Sequence, residues 1–271
     1  KAVIEAVLPR RTQLTRKEAW ARTVAQVVAA NVDTVFLVTA FGGDLSPRRL
    51  ERYLTSAWDS GSRPVIVANK VDLAEDPVFE LAEVEAVAIG VPVAAVSAST
   101  GEGMEQLEPH LVPGKTVALL GSSGVGKSTL VNRLAGRELL ATREIRSDGR
   151  GRHTTTHREL VPLASGALLI DTPGMRELQL WADEGVLDST FAEIAELAGE
   201  CRFADCSHEH EPGCAVKAAI VDGSLPRERF ASYRKLQREI RALEIRKDAR
   251  LRSEARKERR RFSRRMRKTS Y

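Results

Sequence analysis

The sequence has few cysteines and few aromatic residues, and it lacks a long hydrophobic run. All three cysteines lie between residues 201 and 214, which suits a metal site in a reducing compartment better than a disulfide framework. No stretch approaches the roughly 18 consecutive apolar residues that a transmembrane helix needs. We therefore expect a cytoplasmic monomer without membrane contact. Because the chain starts at Lys1 rather than methionine, we also expect a fragment or a processed product.

Acidic residues are scarce at the C-terminal end of the chain. Residues 234–271 carry 17 Lys and Arg against five Asp and Glu, whereas the rest of the chain carries 25 against 32. A basic block of this kind indicates a polyanionic partner, most often nucleic acid, although charge runs also form ordinary solvated faces. Aromatic residues are sparse in the block, which favours contact with phosphates over base stacking.

From residue 33 onward, apolar strand patterns alternate with helical patterns. This alternation predicts an α/β fold with a mostly parallel sheet and helices on both of its faces. Such sheets bind ligands at the carboxyl ends of their strands. The predicted strands cover 34–38, 64–68, 91–96, 116–120 and 167–170, and the predicted helices cover 46–61, 77–89, 104–111 and 127–135. Outside this alternation, a short strand is expected at 3–8, and helices are expected at 186–197, at about 215–221 and from 227 onward. In the last of these helices, Leu236, Ile240 and Leu243 lie at helical spacing and predict one apolar stripe.

A glycine-rich segment follows the strand at 116–120 and opens a helix, which is the setting of a phosphate-binding P-loop. Its backbone N–H groups can surround phosphates, its lysine adds a positive charge, and the serine hydroxyl after the lysine can ligate Mg²⁺. The segment consists of Gly121, Ser122, Ser123, Gly124, Val125, Gly126, Lys127 and Ser128, and Thr129 follows it.

A second motif, Asn69-Lys70-Val71-Asp72, ends the strand at 64–68. The Asp72 carboxylate can accept two hydrogen bonds from the donor edge of guanine, and adenine offers no such pair. Lys70 can lay its aliphatic stem over the base. Ser97 and Ala98 end the next strand and resemble a loop that offers a backbone N–H to the guanine carbonyl. Together with the P-loop, these residues favour GTP over ATP.

A third motif, Asp171-Thr172-Pro173-Gly174, ends the strand at 167–170. Asp171 is placed to hold Mg²⁺, and the Gly174 N–H is placed to contact the γ-phosphate. The segment 149–156 between the P-loop and this motif is rich in Gly and polar residues. We expect one of its threonines to complete the Mg²⁺ coordination, and Thr155 is our first choice over Thr154 and Thr156.

The third motif lacks a glutamine. In Ras-like enzymes a glutamine after the glycine orients the attacking water, but Met175 occupies that position here. Either a partner completes the site or another residue takes over the role. His153 is our candidate for this catalytic role, and the alternative is that His153 only contacts a partner or solvent.

The cysteines form the pattern Cys201-x4-Cys206-x-His208-x5-Cys214. Three thiolates and one imidazole make a closed tetrahedral set, which is typical of structural rather than catalytic zinc. Such an ion would stabilise a small helical module with a limited core of its own. His210 is an alternative ligand, and three free buried cysteines are the alternative to a metal site.

The base-reading motif precedes the P-loop, whereas in ordinary GTP-binding domains it comes last. With this permuted order, the segment 149–156, the third motif and the cysteine pattern, the chain resembles the RsgA (YjeQ) family of small-ribosomal-subunit-dependent GTPases. The resemblance implies a remnant of an N-terminal OB-fold β-barrel and linker at 1–30, a circularly permuted GTPase domain at 31–183, and a zinc-binding helical domain with a basic tail at 184–271. It implies GTP/GDP, Mg²⁺ and one Zn²⁺ as cofactors.

The resemblance also implies a partner and an activity. The partner would be the small ribosomal subunit with its rRNA, and the activity would be GTP hydrolysis stimulated by that subunit during its late maturation. The alternative is a nucleotide-gated rRNA-binding module in which hydrolysis is incidental. A third possibility from the residues alone is an ATP-using P-loop enzyme.

Overall fold

A computed structural model describes residues 5–17, 25–139, 159–171 and 184–247. The chain divides into two compact units, one made of Lys1–Arg16 and Gln26–Gln179, and the other of Lys17–Ala25 and Leu180–Tyr271. The domain boundaries at 30/31 and 183/184 and the OB-fold origin of residues 1–30 stay predictions.

The first unit alternates strands with helices, as the sequence pattern predicts. Two 3₁₀ segments, Val71–Leu73 and Met104–His110, lie between these elements. The strands are β1 (Gln13–Lys17), β2 (Ala25–Ala30), β3 (Thr34–Ala40), β4 (Arg63–Asn69), β5 (Val93–Ala95), β6 (Thr116–Leu120), β7 (Glu159–Pro162) and β8 (Leu168–Asp171). The helices are α1 (Pro47–Asp59), α2 (Pro77–Glu85) and α3 (Lys127–Ala135).

Six of these strands form one sheet in the spatial order β5-β4-β3-β6-β8-β7, and β1 pairs with β2 separately. All neighbours in the large sheet are parallel except β7 and β8. The prediction of a mostly parallel sheet is therefore confirmed. The carboxyl ends of β3, β4, β5 and β6 lie along one edge, as a parallel arrangement requires.

Two apolar cores cover the two faces of the sheet, because successive side chains of a strand point to opposite faces. In β3, Phe36 and Val38 belong to the core that includes Leu130 of α3. Val35 and Leu37 belong to the other core. That second core also contains side chains of α1, α2 and the first two strands, including Leu50, Leu54, Val84, Leu14 and Val28.

The structure differs from the expected elements of this unit in three places. Residues 5–8 have no regular structure, so the strand expected at 3–8 is wrong over the part that the structure describes. The antiparallel strand β7 was not expected. Leu160 is exposed and Val161 is buried, so this short edge strand has only a weak apolar signal. The helix expected at 77–89 ends at Glu85.

The second unit is helical and follows a 3₁₀ segment at Glu184–Val186. Its helices are α4 (Leu187–Thr190), α5 (Ala192–Gly199), α6 (Ala215–Asp222) and α7 (Arg227–Lys247). The single helix expected at 186–197 is wrong, because Phe191 has non-helical backbone angles (φ −127°, ψ 52°) and separates α4 from α5. Phe191 is fully buried, so the break places its ring inside the core.

One apolar core holds the helical unit together. Leu236, Ile240 and Leu243 form the buried stripe of α7 that the spacing predicts. The buried Arg229 donates from Nε to Glu193 Oε1 at 2.7 Å, and its guanidinium lies 4.3 Å from the centre of the Phe191 ring. None of the helices in the described residues combines enough length with enough apolar character to traverse a bilayer.

Candidate nucleotide and metal sites

The P-loop connects β6 to α3, and two of its glycines lie where a side chain does not fit. A Cβ on Gly121 would lie 2.3 Å from the Val38 carbonyl oxygen, and a Cβ on Gly126 would lie 2.3 Å from Asn69 Nδ2. Gly126 also has a φ of +91°, a conformation that favours glycine. The loop therefore packs directly against the ends of β3 and β4.

Polar contacts from two directions hold the first half of the P-loop. Lys127 Nζ donates to the Gly121 carbonyl at 2.7 Å and also to the Ser122 carbonyl, so its ammonium lies on the inner side of the loop. Ser122 Oγ donates to Asp44 Oδ2 at 2.6 Å. Asp44 lies between β3 and α1 and forms an ion pair with Arg49 at 3.0 Å.

Asn69, at the end of β4, joins the P-loop to the loop Ser97–Ser99, which contains the predicted base-reading residues Ser97 and Ala98 and is called the base-reading loop below. Its Nδ2 donates to the Val125 carbonyl at 2.8 Å, and its Oδ1 accepts from the Ala98 N–H at 2.9 Å. The side chain is buried, with 2% exposure. Because both amide atoms are paired, Asn69 fixes the distance between the two loops.

Asp72 faces the same base-reading loop. Ser99 Oγ donates to Asp72 Oδ2 at 3.4 Å and lies 2.9 Å from the buried Ser97 Oγ. Ser97 Oγ also accepts from the Thr100 N–H at 3.2 Å. Lys70 has a φ of +65°, which turns the backbone sharply between the end of β4 and Asp72. The structure thus brings Asn69, Asp72 and Ser97 together, as the sequence predicts.

Two residues at this site were missed by the sequence reasoning. Arg133 of α3 donates from Nε to the Ala98 carbonyl at 3.0 Å and from Nη2 to the Ser99 carbonyl. Asp44 contacts Ser122 from 78 positions earlier in the chain. Neither residue belongs to a motif with a recognised spacing, so only the fold reveals these contacts.

Several predicted site residues lie outside the described residues. These are His153, Thr154, Thr155, Thr156, Gly174 and Met175. The backbone of Asp171 ends β8, next to β6 in the sheet, but its side chain is not described. The basic tail after residue 247 also lies outside the described residues.

Four side chains of the helical unit converge on one point. The ligand atoms of Cys201, Cys206, His208 and Cys214 all lie within 4.8 Å of one another. Cys201 Sγ lies 3.9 Å from Cys214 Sγ, and His208 Nδ1 lies 3.4 Å from Cys214 Sγ. Ligands at zinc bond lengths in a tetrahedron would be about 3.8 Å apart for two thiolates and about 3.5 Å apart for a thiolate and an imidazole nitrogen.

One carboxylate organises the loop that carries His208. Glu211 accepts from Ser207 Oγ at 2.5 Å and from the Ser207 N–H at 3.2 Å, and it accepts from the N–H groups of Glu209 and His210, both at 3.1 Å. These bonds, the one with Ser207 Oγ first, lower the pKa of Glu211 to about 2. His208 has a φ of +59°, and this anchored turn holds it there.

The titration behaviour of the cluster fits a cation site. Burial raises the pKa of Cys206 to about 11, and the neighbouring thiols Cys214 and Cys201 add to that effect. Burial opposes ionisation of Cys201 as well, but the N–H groups of Val216 and Ala215 at the start of α6 outweigh it and lower the pKa. Burial and Arg234 lower the pKa of His208, which favours the neutral imidazole that binds metals.

The structure distinguishes between His208 and His210, the two candidate histidine ligands of the cluster. His208 Nδ1 is the imidazole nitrogen of the cluster. The alternative ligand, His210, is exposed and lies outside the cluster, where its backbone N–H donates to Glu211. Within the part of the chain that the structure describes, the three cysteines and His208 form the group that could hold one metal ion.

The sequence profile of the RsgA GTPase family matches residues 7–181. The chain belongs to the RsgA GTPase family. Members of this family are GTP hydrolases, and the match covers both the base-reading motif and the P-loop. The motif order that predicts a permuted GTPase is therefore confirmed at the level of the family.

The RsgA relatives cover most of the chain. The small ribosomal subunit biogenesis GTPase RsgA 2 of Lactiplantibacillus plantarum is 54% identical over 241 residues, which are 89% of this chain and 68% of that protein. The RsgA of Opitutus terrae is 56% identical over 87% of this chain and 65% of its own length. The chain thus spans about two thirds of the length of these relatives.

A solved RsgA-type structure has the same fold. The crystal structure of YjeQ from Thermotoga maritima matches with a TM-score of 0.65 and 32% identity, over 87% of this chain and 77% of that one. The structure of YloQ, described as a circularly permuted GTPase, matches with a TM-score of 0.63 and 29% identity, over 88% and 74% of the two chains. The expected fold class is confirmed.

Proposed function

We propose that this chain binds GTP, attaches to the small ribosomal subunit during late maturation, and hydrolyses the nucleotide when the subunit stimulates it. The names of the RsgA relatives support the ribosomal partner. The observation that carries the nucleotide part is the pair of hydrogen bonds through which Asn69 joins the P-loop to the base-reading loop. Because of this link, phosphate and base contacts belong to a single site.

The nucleotide lies along the carboxyl edge of the sheet in this proposal. Asp72 accepts hydrogen bonds from the guanine donor edge, Lys70 covers the base, and the loop at Ser97 and Ala98 faces the guanine carbonyl. The P-loop residues surround the phosphates with backbone N–H groups, and Lys127 exchanges its contacts with backbone carbonyls for contacts with phosphate oxygens. The P-loop residues are Gly121, Ser122, Ser123, Gly124, Val125, Gly126, Lys127, Ser128 and Thr129.

A magnesium ion fits the donor set at the start of α3. Hydroxyl and carboxylate oxygens are the ligands that Mg²⁺ takes in nucleotide sites, and Ser128, Thr155 and Asp171 supply them here. When bound, the ion neutralises negative charge on the β- and γ-phosphates. The Gly174 N–H contacts the γ-phosphate and so distinguishes GTP from GDP.

His153 takes the role of positioning the attacking water in this proposal. Met175 occupies the position of the usual glutamine, and a thioether is too weak an acceptor for that role. An imidazole can accept a proton from water near neutral pH. If His153→Ala leaves both stimulated hydrolysis and GTP binding unchanged, this assignment is wrong.

The helical unit supplies the contact with RNA. Cys201, Cys206, His208 and Cys214 hold one structural zinc ion, whose bonds stabilise the loop between α5 and α6. The basic residues from Arg234 onward contact rRNA phosphates. We also propose that the protein is a cytoplasmic monomer.

The decisive experiment measures GTP turnover by this chain with and without purified small subunits. We expect low intrinsic turnover and an increase of at least tenfold with subunits. Asp72→Asn serves as the nucleotide control and is expected to weaken guanine binding by about 100-fold, because it replaces an acceptor of two hydrogen bonds. Unchanged nucleotide choice in that variant would contradict the base-reading argument.

A second function is favoured by Met175. Without the usual glutamine, the chain would act as a nucleotide-gated rRNA-binding module in which hydrolysis is incidental. The same experiment separates the two functions. GTP-dependent binding to small subunits without stimulated turnover would support the module and reject the hydrolase.

A further inference from the structure

We propose that Arg133 is a positioning residue for guanine recognition, which ties the base-reading loop Ser97–Ser99 to the helix that follows the P-loop. This inference rests on the proposed guanine site. The Arg133 guanidinium donates from Nε to the Ala98 carbonyl at 3.0 Å and from Nη2 to the Ser99 carbonyl. A planar guanidinium can bind two neighbouring acceptors at fixed geometry.

External contacts hold the middle of the base-reading loop. Ser97 itself is tied locally, because its N–H donates to the Glu102 carbonyl and its carbonyl accepts from the Gly101 N–H, both at 2.8 Å. The Ala98 N–H is held by Asn69, and the Ala98 and Ser99 carbonyls are held by Arg133. Removing Arg133 therefore releases the carbonyl side of the loop and leaves the position of Ala98 beside the base to the contact with Asn69 alone.

Gly101 lies beside the guanidinium. It has a φ of +98°, which favours glycine, and a Cβ at this position would lie at van der Waals distance, 3.4 Å, from Arg133 Nη1. The turn that closes the base-reading loop is thus next to the Arg133 side chain.

The contact links the base to the phosphates through a rigid element. Arg133 lies six residues after Lys127 in α3, about 9 Å along the helix axis. Asn69 makes a second link, from the base-reading loop to the Val125 carbonyl of the P-loop. The P-loop, α3, Arg133, Ala98 and Asn69 therefore form a closed ring of contacts, in which a change at the phosphates shifts the loop that meets the base.

The test compares GDP with the diphosphate of 2-aminopurine riboside, which keeps the 2-amino group but lacks the 6-carbonyl and the N1–H that goes with it. We expect Arg133→Ala to weaken GDP binding about tenfold and to change binding of the analogue less than twofold, because the base-reading loop acts on the 6-carbonyl. Arg133→Lys keeps the charge but not the planar pair of donors, and we expect an intermediate loss. Calorimetric titration of each nucleotide supplies the affinities.

Arg137→Ala is the matched control, because Arg137 is exposed just after the end of α3 and its removal costs the same charge. We expect wild-type affinities from it. Equal weakening of GDP and the analogue by Arg133→Ala, or GDP binding within twofold of wild type, would overturn the inference. A wild-type chain that binds both nucleotides equally would instead reject the proposed base reading, and the inference with it. Thermal unfolding of each variant checks that the fold is kept.

Discussion

The two candidate sites of this chain are built in opposite ways. At the nucleotide site, hydrogen bonds within the protein already hold the loops, as at Asn69, which pairs with Val125 and Ala98. At the candidate metal site, three thiols and an imidazole meet, and burial, together with the neighbouring thiols, raises the pKa of Cys206 to about 11. The first site is stabilised by hydrogen bonds within the protein, whereas the second is a cluster of groups that could hold a metal ion.

The apolar cores around the two candidate sites also differ in extent. The sheet of the nucleotide unit is covered by a separate apolar core on each face. The helical unit has one core, and Cys214 belongs to it while Cys201 and Cys206 pack against it. Small modules with limited cores commonly depend on a metal for folding. We therefore expect removal of a bound metal to destabilise the helical unit more than removal of the nucleotide destabilises the nucleotide unit.

The largest expected effect is in the helical unit. We expect Cys214→Ser to reduce zinc affinity by more than 100-fold and to unfold the loop between α5 and α6, because a closed tetrahedral site loses a thiolate. Serine is a favourable helix N-cap, and Cys214 caps α6 by accepting from the Lys217 N–H. The serine of this variant can therefore still cap α6, so any effect comes from the lost thiolate. Metal content and the absorption of the cobalt-substituted protein measure the effect, and wild-type values would contradict a metal site.

The second-largest effect is expected at the nucleotide site, where Asn69 holds two loops together. We expect Asn69→Ala to weaken GDP binding by roughly 30- to 1,000-fold, since unpaired buried backbone groups cost about 2–4 kcal/mol in total. Asn69→Asp keeps the acceptor for the Ala98 N–H but loses the donor to the Val125 carbonyl, so we expect a smaller loss from it. Fluorescent GDP displacement gives both affinities. Equal affinities in all three proteins would show that the loops are held without Asn69.

A smaller effect concerns the carboxylate that anchors the His208 loop. We expect Glu211→Gln to lower zinc affinity about tenfold, because outer residues that orient a ligand typically change affinity 10- to 100-fold. Glu200→Gln removes the same charge next to Cys201 from an exposed side chain and should leave the affinity unchanged. Competition with a zinc-binding dye measures both variants. If both variants lost the same zinc affinity, the effect would come from the removed negative charge and not from the anchored loop.

The smallest effect is a pH dependence in the nucleotide unit. Burial opposes ionisation of Asp33, but the Thr116 N–H and the Lys115 ammonium outweigh it and lower the pKa below its ordinary value of 3.8. Asp33 therefore stabilises the folded unit above that ordinary value, and this contribution is lost as the pH falls through the lowered pKa.

We expect Asp33→Asn to reduce the free energy of unfolding by about 0.5–1 kcal/mol at pH 7 and by much less at pH 2.5, because exposed ion pairs contribute little. Lys115→Met removes only the cation and should cost less than Asp33→Asn. Denaturant unfolding at the two pH values measures the difference. A loss that is the same at both pH values would refute the ionic contribution.

The sequence predicts the parts of the fold that carry strong local patterns. The continuous apolar run of β3 and the strand, glycine loop and helix of the P-loop are local features, and each forms as expected. The short edge strand β7 and the break at Phe191 are decided by tertiary packing, since β7 has only four residues of mixed exposure and Phe191 leaves the helical conformation where its ring is buried. Local patterns do not contain this information.

The same limit applies to the sites. The motifs point to Asn69, Asp72 and the four candidate metal ligands, because spacing and residue type indicate their chemistry. Arg133 and Asp44 carry no such signal, because they contact residues 35 and 78 positions away. Their contribution follows only from the order of strands in the sheet.

Selective removal of zinc tests the central contrast most directly. Amide hydrogen exchange of the GDP-bound chain, before and after a zinc-selective chelator, should show lost protection in α5, α6 and α7, retained protection in β3, β4 and β6, and GDP affinity within twofold. Protection lost equally in both units, or kept in the helical unit after the metal has left, would contradict the account.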